Sequence, residues 1–99
     1  MEKGIMALFL NDYYKILRVL YENQVKIGND VNFTPLTQLE VAEKVGVSKI
    51  TMNAMFKELH KYNIIYPYKG KRGMYCLSED AQIILDEIDK INNYIENRR

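Results

Sequence analysis

Residues 36–63 read Leu-Thr-Gln-Leu-Glu-Val-Ala-Glu-Lys-Val-Gly-Val-Ser-Lys-Ile-Thr-Met-Asn-Ala-Met-Phe-Lys-Glu-Leu-His-Lys-Tyr-Asn, two helix signals with a single glycine between them. Thr37 and Glu40 have the spacing of a capping box, and Leu36 and Val41 are placed to close that turn with an apolar staple. The first helix therefore starts at Thr37. Leu39, Val41, Ala42 and Val45 supply its apolar side, and Gly46 stands where a left-handed residue ends a helix. Val47 is expected to point inward, and Ser48 to accept a hydrogen bond from an unpaired amide of the next helix. Two helices held by so short a turn form a helix-turn-helix, whose second helix can enter the DNA major groove.

Stepping about 100° per residue, Met52, Met55, Phe56 and Leu59 fall in one apolar sector, which is the core side of the second helix. Ile50, Ala54, Lys57 and Lys61 lie roughly opposite, with Thr51 and Asn53 at the flanks. That outward mixture suits a groove between phosphates. Asn pairs bidentately with adenine, apolar groups meet the thymine methyl, and Lys reaches phosphate, so the expected target is a half-site containing A and T.

The formal net charge of the whole chain is only +1, yet it is segregated. Residues 44–77 hold Lys44, Lys49, Lys57, Lys61, Lys69, Lys71 and Arg72 against Glu58 alone, a local excess of six positive charges. The remainder carries seven basic and twelve acidic residues, an excess of five negative charges. A confined positive footprint is what phosphate binding needs, whatever the isoelectric point of the chain. The plainer alternative is a solvated basic surface without a partner.

Beyond Asn63 the pattern becomes extended. Ile64 to Tyr68 and Met74 to Leu77 are β-prone runs on either side of Lys69-Gly70-Lys71-Arg72-Gly73, the signature of a hairpin. Pro67 cannot donate to a ladder, so its strand is expected at an edge. Three cations on so short a loop repel one another unless a polyanion lies beside them. The loop is not a phosphate-cradling Walker sequence, because that pattern's first glycine and terminal Ser or Thr are absent.

The run Thr-Gln-Leu-Glu-Val-Ala-Glu-Lys-Val-Gly-Val-Ser, followed by Met52, Phe56 and Leu59 at helical spacing and then Asn63-Ile64-Ile65, resembles winged-helix regulators of the MarR and ArsR kind. It is also similar to small plasmid or phage winged-helix partition adaptors. The resemblance spans roughly residues 36–80. Those regulators usually carry Gly where this chain has Asn63, which also tolerates the left-handed helix end. They often carry Arg or Lys at the position of Ala54.

The resemblance implies a winged helix-turn-helix, mainly α with a small β-hairpin, with a recognition helix at about 48–62 and a wing at about 64–77; the chain length fits one domain over residues 1–99, and the sequence beyond the wing reads as a long C-terminal dimerisation helix at about 78–98. It assigns DNA contacts to Thr37, Ser48, Lys49, Ile50, Thr51, Asn53, Ala54, Lys57 and Lys61 of the helical pair. In the wing it assigns them to Tyr68, Lys69, Lys71 and Arg72, with Arg72 best placed to enter a narrow A/T minor groove.

The flanks support this unit. Asn11 or Asp12 can cap a first helix, in which Tyr13, Ile16, Leu17, Leu20 and Tyr21 form one buried stripe. It is expected to fade between Asn23 and Ile27, ahead of the turn signal Gly28-Asn29-Asp30. An extended connector follows through Pro35, with room for a short edge strand. Ser78 can cap a last helix, with Glu79 and Asp80 in its first turn and Arg98 and Arg99 in its last, favourable to the helix dipole. Ala81, Ile84, Ile88, Ile91 and Ile95 recur at steps of three and four. Either they pack on the first helix, or Ile84, Ile88, Ile91 and Ile95 join two copies about a two-fold axis. The second arrangement is preferred, and it sets two recognition helices about 34 Å apart. Residues 1–10 are apolar beyond Gly4 and lack a clear period, which leaves a short helix or a dimer-contacting arm open.

Other classes fare worse. No apolar run approaches the roughly 20 residues of a membrane span, and Asn11-Asp12 follows Ile5–Leu10 where a secretion signal needs a small-residue cleavage site. A single cysteine, Cys76, fits a reducing cytoplasm and excludes a zinc cluster of several cysteines. His60 lacks a second histidine or an acid pair and is expected to be solvated or to face phosphate. No catalytic set is recognisable, so neither an enzyme nor a cofactor or metal is expected. The expected partners are double-stranded DNA and a second copy of the chain. A partition adaptor would in addition recruit a motor or polymer protein, and a third reading uses the domain for protein contacts only.

Overall fold

The computed structural model describes residues 11–98. The expectations for residues 1–10 and for Arg99 fall outside them. Each helix starts where a short polar side chain can accept from a free amide, and the start sites follow from that local chemistry. Asn11 caps α1 (Asp12–Glu22) by accepting from the Tyr14 amide. Thr37 caps α2 (Gln38–Val45), and the reciprocal bond from Glu40 completes the box. Ser48 caps α3 (Lys49–Lys61) and Ser78 caps α4 (Glu79–Asn97). Gly46 ends α2 with φ +85°, and Asn63 takes up φ +57° after α3, both in the left-handed region expected of them.

Between α3 and α4 the chain makes a two-stranded antiparallel hairpin, β1 (Ile65–Pro67) and β2 (Tyr75–Leu77), in the register Ile65 to Leu77 and Pro67 to Tyr75. Thr34, from the connector after α1, pairs with Tyr75 on the far side of β2. Pro67 thus lies on an outer strand. The Thr34 side chain is fully buried, and its hydroxyl donates to the Leu20 carbonyl, so no polar group is stranded there.

The core sits where these elements converge. Ile16 and Leu20 of α1, Val41 and Ala42 of α2, and Met52, Met55, Phe56 and Leu59 of α3 pack with Ile65, Tyr75, Leu77, Ala81 and Leu85. Phe56 is fully buried and meets Tyr75 edge-on at 5.0 Å between ring centres. With one side of α3 consumed by this packing, its other side is fixed toward solvent. Leu39 departs from the expected apolar side of α2 and is half exposed, because an eight-residue helix over this core buries only Val41 and Ala42 fully. The architecture is therefore mainly helical, with one small hairpin and a long C-terminal helix. No described helix is long and apolar enough to cross a membrane.

Candidate nucleic-acid interface

Ile50, Thr51, Asn53, Ala54, Lys57 and Lys61 all lie exposed on α3, opposite its buried residues, and Ile50 is the extreme case at 84% exposure. Lys49 and Ser48 lie beside them at the amino end of the helix. The start of α2 borders this face directly. Gln38 and Leu39 share an open groove with Lys49, Ile50, Met52 and Asn53. The hairpin loop reaches the same place from the other direction: a Cβ on Gly73 would stand 3.3 Å from Thr37 Cγ2 at the α2 cap. The loop thus meets the α2 cap at Thr37, and the next residues of α2 share a groove with the amino end of α3.

The cations of residues 44–77 are all exposed. Among the described residues Lys44, Lys49, Lys57, Lys61, Lys71 and Arg72 enter no ion pair, whereas Lys15, Arg18, Lys69 and Lys90 do. Unpaired exposed cations lose no existing partner when they meet phosphate. Thr37 is oriented by its capping box, with Glu40 Oε1 accepting from the Thr37 amide at 2.9 Å. That amide holds the Glu40 carboxyl below its usual range, so its charge is engaged at the helix start.

Two residues of the hairpin loop differ from expectation. Tyr68 does not face outward: it is buried, stacked on Phe33 at 4.1 Å between ring centres, and its hydroxyl donates to Asp30 Oδ2 at 2.5 Å. The single turn of 3-10 helix at Tyr68–Gly70 folds the loop back and tucks the ring beneath it. Lys69 is exposed but pairs with the same Asp30 oxygen at 3.3 Å. Asp30 is thereby held below the ordinary carboxylate range, first by the Tyr68 hydroxyl, then by the Val31 amide and Lys69. Its role as anchor of the hairpin gave no signal in the sequence, because the partners are 38 residues apart and belong to no periodic pattern. Lys71 and Arg72 remain exposed at the tip, as the cationic loop led one to expect.

His60 is half-buried against the edge of the Tyr75 ring at 6.1 Å rather than solvated. Cys76 is buried beside Phe33 and Tyr68, and burial pushes its thiol up, away from the reactive thiolate. No cluster of three His, Cys, Asp or Glu side chains suited to a metal ion occurs among the described residues.

The isoleucines of α4 lie at a second surface. Toward α1 this helix presents Ala81 and Leu85, then Asp86 and Asp89, which accept from the Tyr21 hydroxyl and the Arg18 guanidinium. Donation to Asp86 pushes the Tyr21 phenol up to about 12. Ile84 and Ile91 are 59% and 48% exposed, while Ile88 and Ile95 are half-buried. Ile84 and Ile88 border an apolar groove of about 300 Å³ between α1 and α4, with Tyr13, Leu17 and Ile64 on its other walls.

No family model, characterised protein or solved structure matches this chain.

Proposed function

We propose that this chain is a double-stranded DNA-binding protein of winged-helix type, acting as a homodimer and serving as a transcriptional regulator. The observation that carries the reading is that the hairpin loop meets the α2 cap while the start of α2 shares a groove with the exposed side of α3, in a region whose cations, Lys69 apart, enter no ion pair among the described residues. α3 is the element that enters the major groove. Asn53 reads a base, Lys57 and Lys61 neutralise phosphates, and Lys71 and Arg72 follow the backbone or the minor groove from the wing. Lys69, already paired with Asp30, and Tyr68, turned inward, are supports of the wing rather than contacts. A second copy covers Ile84, Ile88, Ile91 and Ile95, exposed or half-buried on α4. The acidic α4 then lies away from the duplex, with Glu79, Asp80, Asp86, Glu87, Asp89 and Glu96 against Lys90 and Arg98.

The same chemistry serves a partition adaptor, which coats a tandem array and recruits a polymer or motor protein. Footprint length separates the two roles: one or two sites for a regulator, a cooperative array for an adaptor. The defining test is selection from random duplexes followed by a salt titration of the selected site. The expected result is a consensus containing A and T whose binding weakens steeply with salt. Absence of salt-dependent duplex binding would favour the use of this domain for protein contacts alone and would overturn the proposal.

A further inference from the structure

The α3 face holds an apolar feature that phosphate neutralisation does not use. Leu39 at the start of α2 and Ile50 at the start of α3 are 51% and 84% exposed, and they line one open groove of about 510 Å³. Two aliphatic side chains from different helices are thus held outward on the face proposed for the major groove. The groove's charged lining residue is Lys49, and Gln38 and Asn53 are its amides. Among the described residues no carboxylate lines it. Its surroundings therefore favour a polyanion over an apolar protein surface, and two side chains fall far short of the roughly 800 Å² per partner that a stable protein interface buries. In the major groove of a duplex, the one apolar group on a base edge is the thymine C5-methyl. Ile50 is β-branched and restricted at χ1, so its methyl groups are already in place before contact.

Resting on the duplex-binding reading above, we propose that Leu39 and Ile50 form a two-sided seat for thymine C5-methyl groups. Leu39, on α2, is a specificity-determining residue of this seat. The chain selects A·T pairs at that position through the methyl group, next to a base whose edge Asn53 reads by hydrogen bonding.

The test uses the full chain and the duplex it selects from a random pool. Each thymine is replaced singly by uracil, which removes the methyl and leaves every hydrogen-bonding group of the base in place. Fluorescence anisotropy is expected to show about a fourfold loss of affinity per seated methyl at one or two positions of each half-site, and no loss elsewhere. Leu39→Ala and Ile50→Ala, exposed positions whose folding is checked by circular dichroism, should each weaken binding to the thymine duplex. Each should also remove the penalty for uracil at that position, which a general loss of affinity would not do. If uracil is equivalent to thymine at every position while binding stays selective and salt-dependent, the methyl seat is refuted and the duplex reading stands. If Leu39→Ala retains the full uracil penalty, the assignment of Leu39 is refuted. If no duplex is bound in a salt-dependent way, the underlying reading fails and the seat fails with it.

Discussion

The strongest consequence of the proposed interface concerns the two cations at the hairpin tip. Lys71 and Arg72 are exposed and unpaired among the described residues, so in a complex each is free to displace a counterion from one phosphate. On B-form DNA each such contact contributes about 0.9 to the slope of log affinity against log salt. Replacing both by Ala should then flatten the slope by about 1.8 for each protomer bound. Over a fourfold rise in salt this means that the variant loses about twelvefold less affinity per protomer than the parent chain. The assay is fluorescence anisotropy on a selected duplex and on a random one at 4–6 salt concentrations, roughly 50–200 mM. Both duplexes should show the same flattening, because phosphate contacts carry no sequence information. Lys15→Ala is the control, since Lys15 on α1 pairs with Asp12 at 3.3 Å and lies outside the proposed face. An unchanged slope in the double variant, or equal flattening in the control, would refute the placement of the tip on DNA.

The other predictions address the proposed base contact, the Asp30 anchor of the hairpin, the proposed dimer and the core. Asn53→Ala should relax base preference at the position it reads by about 1–3 kcal/mol while leaving the salt slope alone, measured by repeating the selection with the variant. Asp30 has a depressed carboxyl, so its hold on Tyr68 and Lys69 is complete above the ordinary aspartate pKa of about 3.9 and is lost as pH falls through its lower folded value. Asp30→Asn should therefore melt lower at pH 7 and lose less on acidification than the parent, as followed by thermal denaturation at several pH values. Ile88→Asp should yield monomers at micromolar concentration in sedimentation, with helix content retained. Phe56→Ala removes the central side chain of the core and should cost about 3–5 kcal/mol, read from urea unfolding midpoints, a large share of the total stability of a domain this size.

What the sequence disclosed well is what nearest-neighbour chemistry decides. Caps, the left-handed positions Gly46 and Asn63, and the inner sector of α3 all depend on residues within one or two turns of each other, and each appears where expected. The features that escaped depend on partners distant in the chain. Nothing near Tyr68 announces that Phe33 and Asp30 will receive it, so a tyrosine beside a cationic loop reads as a DNA contact. Leu39 escaped for a related reason: apolar spacing marks which residues share a face, but the length of α2 over the core decides how many are covered. On α4 the isoleucine period was legible, whereas the pairing of Arg18 with Asp89 and of Tyr21 with Asp86, which decides which side faces α1, was not.

That pairing bears on the choice between the two uses of the α4 isoleucines. Packing them all on α1 would have buried further apolar area, at about 25 cal/mol per Å², against the cost of desolvating Arg18 and Tyr21. Beyond Leu85, the helix instead turns Asp86 and Asp89 toward α1, where a phenol and a guanidinium satisfy them, and leaves Ile84 and Ile91 half exposed. Among the described residues that arrangement leaves aliphatic surface of α4 uncovered. On the proposed reading a second copy covers the isoleucine side, and the carboxylates stay paired within each protomer while the aliphatic surface is removed from water between protomers. Polar pairs tie α4 to α1, and α1 packs on α2, which packs on α3. The same contacts that free the isoleucines for a partner would therefore also set the separation of the two α3 helices, which makes the spacing of half-sites a property of Arg18, Tyr21, Asp86 and Asp89 as much as of the interface itself.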